Sequence, residues 1–179
     1  MKKYELTEET FTVFGKTLYR IRAVRDFGSV KTGEFGGYIE KEENLSHFGD
    51  AWVYGDARVS ENVWVYGDAR VYGDARVFDN AWVYGNAKVY GNAWVYGNAE
   101  VFNTRHFFVQ GPIGSRDGYV TFYRTKDDTI GVRCGCFSGS LQKFVDRVEE
   151  THGGSRYEKE YKIAAELAKV CIRLEGESR

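Results

Sequence analysis

The chain has one proline, one methionine and three cysteines among its 179 residues. With proline nearly absent, the 21 glycines must do most of the turning. Cys134, Cys136 and Cys171 are too few, and odd in number, for a disulfide framework; they point to a reducing compartment. No apolar run approaches the ~20 residues of a membrane span. The opening MKKYELTEET lacks the apolar core of a signal peptide. These absences predict a soluble, cytoplasmic protein with no membrane partner. An excess of one charge is lacking too, since the formal net charge is -1. Basic and acidic residues number eight and eight over 1–46, five and seven over 47–108, and twelve and eleven over 109–179. No segment has the basic footprint of a nucleic-acid binder. Nothing matches a P-loop, a dinucleotide fingerprint or a nucleophile elbow, so no cofactor is expected.

What the chain does have is a repeat. Hexads begin at Val53, Val59, Val65, Val71, Val77, Val83, Val89 and Val95, with degenerate copies at His47 and Val101. The consensus is Val, aromatic, Gly, Asp or Asn, Ala, then a variable residue. A fixed period of six marks a parallel β-helix. In an Ala-x-Val stretch the Ala and Val share one side of a strand, while the variable residue and the aromatic share the other. Gly-Asp or Gly-Asn then turns a corner, because both tolerate positive φ. Val and Ala are therefore predicted inside, with the variable residue and tyrosine outside.

These hexads resemble those of the left-handed β-helix, or hexapeptide-repeat, superfamily. The resemblance implies a triangular coil built from three hexads, and hence just over three coils. The lead-in, with Phe27-Gly28, Gly33, Gly36-Gly37 and NLS before GDAWVYG, is similar to that of bacterial and bacteriophage hexapeptide-repeat proteins. The expected fold is mainly β. Residues 1–46 form a hairpin around Gly15 and a cap, residues 47–108 the β-helix, and residues 109–179 a ββαα module packed on the coil. In that module Ser140 is predicted to cap a helix with Leu141, Phe144, Val145 and Val148 on one stripe. A second helix starts near Arg156.

With three hexads per coil, the outward residues sort into three faces. The first stacks Trp52 and Tyr54, Arg70 and Tyr72, Lys88 and Tyr90, then His106 and Phe108. Its ladder of Trp52, Arg70, Tyr72, Lys88 and Tyr90 could hold an anionic, planar ligand by charge and stacking. Such ladders also stabilise strands by themselves. The second face stacks Arg58, Arg76 and Trp94 with Ser60, Phe78 and Tyr96. The third carries Phe48, Trp64, Tyr66, Trp82, Tyr84 and Phe102, an apolar patch of the kind that marks an interface. At the corners, Asn62, Asn80 and Asn98 form one column, as in asparagine ladders.

Hexapeptide-repeat acyltransferases imply a trimer with a histidine base. His106, outward on the last coil, is the one histidine whose position suits that role. His47 faces inward near the first coil, and His152 follows a helix. Three scattered histidines do not make a zinc site, and Cys134, Cys136 and Cys171 read as core residues, so no metal is expected. A second candidate site gathers Ser115, Arg116, Tyr123, Arg124, Lys126 and Arg133 near a helix start at Ser138 and Ser140, a suitable place for a phosphate or nucleotide. The expected function is non-catalytic. The chain reads as a phage- or prophage-type binding protein, a dimer or trimer. It would hold a host protein or sequester a small anionic, nucleotide-like ligand, for instance in counter-defence. An acyltransferase using His106 and a structural assembly module are the alternatives.

Overall fold

A computed structural model describes residues 1–175. It divides into two compact units, Met1–Thr104 and Arg105 onward.

The first unit is a three-sided β-solenoid. Each hexad contributes one two-residue strand, and strands three hexads apart pair in parallel. On the first face β4 (Trp52–Val53), β7 (Arg70–Val71) and β10 (Lys88–Val89) stack. The second has β5 (Arg58–Val59), β8 (Arg76–Val77) and β11 (Trp94–Val95). The third has β6 (Trp64–Val65), β9 (Trp82–Val83) and β12 (Glu100–Val101). The Val and Ala of these hexads are fully buried, so the prism is filled by two small residue types in alternation. Gly67 shows why the corners need glycine. Its φ is +70°, and a Cβ there would lie 3.1 Å from the backbone of Gly85 on the next coil.

The solenoid has about four turns, one more than the hexads alone predict. The extra turn comes from the lead-in. In β3 (Phe35–Ile39), Tyr38 and Ile39 pair in parallel with Arg58 and Val59, and Leu45 bridges to Val65. This turn has no hexad signature because it is two residues longer than the later ones. The predicted hairpin forms from β1 (Tyr4–Val13) and β2 (Lys16–Ala23), turning at Phe14-Gly15, with β2 antiparallel to β3. The second face is therefore one six-stranded sheet, β1-β2-β3-β5-β8-β11.

The start of the chain closes the first turn. Tyr4 is buried, and its hydroxyl lies 2.7 Å from the Leu45 carbonyl and 2.9 Å from that of Glu42. Its ring stacks on His47 at 4.3 Å, so His47 is packed as expected. The Lys3 ammonium donates to the carbonyls of Ala51 at 2.6 Å and Gly49 at 3.3 Å. Burial pulls the Lys3 pKa down to about 8, against a smaller opposing pull from Asp50. A lysine in the unfolded chain titrates near 10.5. Between those values the unfolded state binds more protons, so stability rises with pH. Above pH 10 the buried Tyr4 phenol, whose pKa is raised mainly by burial, works in the opposite direction. Urea melts should show this unit gaining about 2 kcal/mol from pH 8 to 10. Lys3→Met should flatten that slope; an unchanged slope would assign it to other groups.

The second unit is a four-stranded antiparallel meander backed by two helices. Its strands are β13 (Phe107–Ile113), β14 (Gly118–Arg124), β15 (Ile130–Cys134) and β16 (Phe137–Ser140), in that order. The helices are α1 (Leu141–His152) and α2 (Arg156–Cys171). Val120, Phe122, Ile130 and Val132 on the sheet pack with Phe144 and Val148 of α1 and Tyr161, Ala164, Ala165 and Ala168 of α2. The module thus has four strands where two were expected. One extra strand, β13, begins where the last coil was placed. The hexad at Val101 has Arg105 where the inward Ala belongs, and a cation cannot enter that core. The other, β16, follows a tight turn at Gly135-Cys136. That turn leaves Cys136 exposed, not in the core as predicted.

Candidate functional site

The second unit's predicted site does not assemble. Ser115 and Arg116 are exposed in the β13–β14 turn, and Lys126 lies in the β14–β15 turn. The length of β14, roughly 20 Å at ~3.4 Å per residue, separates them. Tyr123 and Arg124 are buried, each 3% exposed. The Arg124 guanidinium is held by Asp128 at 2.8 Å and Glu175 at 3.3 Å. Ser138 stands opposite Arg133 in the ladder, while the Ser140 hydroxyl accepts from Lys143 N and caps α1. His106 is not the exposed residue that the repeat predicts. It is 3% exposed, ahead of β13, and its carbonyl accepts from Arg124 N. His152 ends α1 beside the rings of Tyr157 and Tyr161. Among the described residues no group of three or more His, Cys, Asp or Glu is placed to hold a metal.

The first face of the solenoid does form a concave site. Hexad spacing puts a tyrosine at the same place in successive coils. Tyr54 and Tyr72 stack at 4.9 Å and 8°, Tyr72 and Tyr90 at 5.5 Å and 22°. One position before the valine of each strand, the same register places Arg70 and Lys88 beside them. The lead-in loop supplies a wall through Ser29, Val30 and Glu34, and the result is a groove of about 400 Å³. That volume lies within the range of small-molecule sites.

Two residues differ from expectation here. Trp52 is no outer rung: it is 2% exposed, edge-on to Phe27 at 5.2 Å and Tyr4 at 6.2 Å, and forms the closed end of the groove. The tyrosine faces are already covered by one another, so the groove offers ring edges and hydroxyls, not slots for intercalation. Burial, then the neighbouring Tyr72, raises the Tyr54 pKa, against Arg70. Neither Arg70 nor Lys88 is hydrogen-bonded or ion-paired among the described residues. Sequence reasoning missed Ser29, Val30 and Glu34, because the lead-in carries no repeat to place it.

The third face is aromatic throughout. Trp64 meets Trp82 edge-on at 6.4 Å, while Tyr66 and Tyr84 stack at 4.7 Å, followed by Phe102 at 5.2 Å. Phe48 is 82% exposed, Trp64 45% and Trp82 37%. The Tyr84 hydroxyl donates to Glu100 at 2.9 Å.

Stacked parallel coils with this repeat define a β-solenoid repeat protein. The YdcK β-solenoid repeat family model matches residues 51–67, 69–85 and 81–97, so the central coils are similar to that repeat. No curated protein matches the chain. No helix among the described residues is long and apolar enough to cross a membrane.

Proposed function

We propose that this β-solenoid is a non-catalytic binding protein that sequesters a small anionic, nucleotide-like ligand in the groove of its first face. The observation that carries this reading is that Arg70 and Lys88, two cations with no ion pair among the described residues, line one groove with Tyr54 and Tyr72. Cations left unpaired at a groove lower the cost of taking an anion out of water. The burial of His106 favours binding over acyl transfer. The phage or prophage setting and the counter-defence role rest on the resemblance of the lead-in, and the cytoplasmic location on the few cysteines and the lack of an apolar core in the opening residues. The exposed third face supports self-association into a dimer or trimer.

Native mass spectrometry on protein purified from cells tests this reading. The expected result is a stoichiometric small anion released unmodified on denaturation, with the subunit count read from the same spectrum. Arg70→Met with Lys88→Met should cut its affinity by at least about 100-fold, as for two lost charge-assisted contacts of about 1.5 kcal/mol or more each. A bare protein would set the reading aside in favour of a macromolecular partner.

A further inference from the structure

The second face holds a different arrangement, in which two arginines stand without ion-pair partners among the described residues. Arg58 and Arg76 occupy the same position in successive coils and are paired in register. Neighbouring strands lie ~4.8 Å apart, so two like charges are held side by side. Neither arginine makes a hydrogen bond or ion pair among the described residues, and Arg58 Nε is buried with no hydrogen-bond partner. The acids nearby do not compensate. Glu61 is bound to Lys16 at 2.8 Å, and Asp74 offsets only part of the charge on Arg76. Burial, then the charge of Arg58, makes Arg76 less ready to hold its proton than an exposed arginine. Aromatic rings fix both side chains. Arg58 Cζ lies 3.9 Å from the centre of the Phe11 ring, and Arg76 Cζ lies 4.8 Å from that of Trp94. Both arginines line a cavity of about 60 Å³, together with the Lys16–Glu61 pair, Ser60, Phe78 and Trp94.

We propose that Arg58 and Arg76 together form an anion site for a phosphoryl group, separate from the groove on the first face. Two forked guanidinium groups supply donors in the planar geometry that suits phosphate oxygens. The bound anion cancels the repulsion between the two arginines. A cavity needs ~10–15 Å³ per water, so this one takes an oxyanion head and leaves the remainder of a larger ligand outside. Phe14, 84% exposed on the hairpin turn, borders that exit.

The test is calorimetric titration of the whole chain with pyrophosphate in phosphate-free buffer, against sodium chloride of equal ionic strength. The expected result is one pyrophosphate bound per chain. Arg58→Gln or Arg76→Gln should weaken it at least about 10-fold, and the double variant should abolish it. Arg76→Lys keeps the charge and most of the packing but loses the fork; it should still cost about 10-fold. Without anion, the double variant should melt no lower than the unsubstituted protein, because a repulsion has been removed. Arg70→Met with Lys88→Met should leave pyrophosphate binding at this site intact. Three results would overturn the proposal: heats equal to the chloride control, binding that survives in the double glutamine variant, or binding lost in the Arg70 and Lys88 variant instead. Succinate bound as tightly as pyrophosphate would refute the phosphoryl assignment.

Discussion

Asn44→Leu is expected to destabilise the first unit by about 3 kcal/mol, although it replaces one side chain by another of similar size. Asn44 is fully buried. Its amide donates to the carbonyls of Glu61 and Val63 at 3.0 Å each and accepts from Lys41 N at 3.1 Å. Leucine would leave two carbonyls and one N–H without partners in a dry interior, each costing about 1–3 kcal/mol before relaxation. It would also untie the lead-in turn from the coil beneath it. Asn62→Leu is the control. Asn62 is exposed and bonds to Asn80 at 3.1 Å, so its loss should cost well under ~1 kcal/mol. Urea denaturation of both variants decides the matter, and equal midpoints would mean that the three buried bonds contribute nothing net.

Gly114→Ala should have an effect of similar size in the second unit. Gly114 has φ +76°, and a Cβ there would collide with the hydroxyl end of Tyr161. Tyr161 belongs to the core between the sheet and the helices, so it cannot simply swing aside. The Gly114 N–H also donates to Glu160 at 2.7 Å, which anchors α2 to this turn. Left-handed backbone costs an alanine roughly 1–2 kcal/mol, and displacing a packed aromatic adds about as much again. The expected total is about 3 kcal/mol. Segment-resolved hydrogen exchange should show protection lost over residues 105–175. Gly118→Ala, with open space around its Cβ position, should change little. Equal protection in the two variants would show that the Gly114 turn is not tied to the core.

The solenoid was legible because every hexad states the same chemistry. The valines and alanines named from periodicity are the buried ones, and the three faces follow from counting. What was missed lies where the period fails. Asn44 precedes Leu45, which bridges to Val65, so it falls outside the corner column of Asn62, Asn80 and Asn98. It was hidden because the turn that carries it has no valine–alanine rhythm. Trp52 has an outward position by count, yet Phe27 and Tyr4 come from far along the chain to bury it. Arg124 looked like a ligand-binding cation because its partners, Asp128 and Glu175, meet it only through a turn and a distant segment. Arg58 and Arg76 were visible as a cationic column. Their lack of acidic partners was not, since that depends on where Glu61 and Lys16 meet. The second unit was read less well. Glycine is depleted in strands and serine is a favoured helix cap, so FSGS read as a helix entrance and β16 was missed.

The hairpin at the start of the second face also bears on growth. Every turn of a parallel solenoid is a template for the next, and a bare end would accept the end of another molecule. Here the six-stranded sheet reverses direction at β2 and again at its last strand, so its edge belongs to a hairpin and not to a coil. That edge is β1, whose Glu5 pairs with Arg22 and whose Glu9 pairs with Arg20 on β2. An incoming coil would meet a hairpin strand with a charged border, and no open turn of solenoid. At this side the protein resembles a length of filament with its polymerising end sealed, which lets a sequence built for endless stacking stop as a discrete molecule.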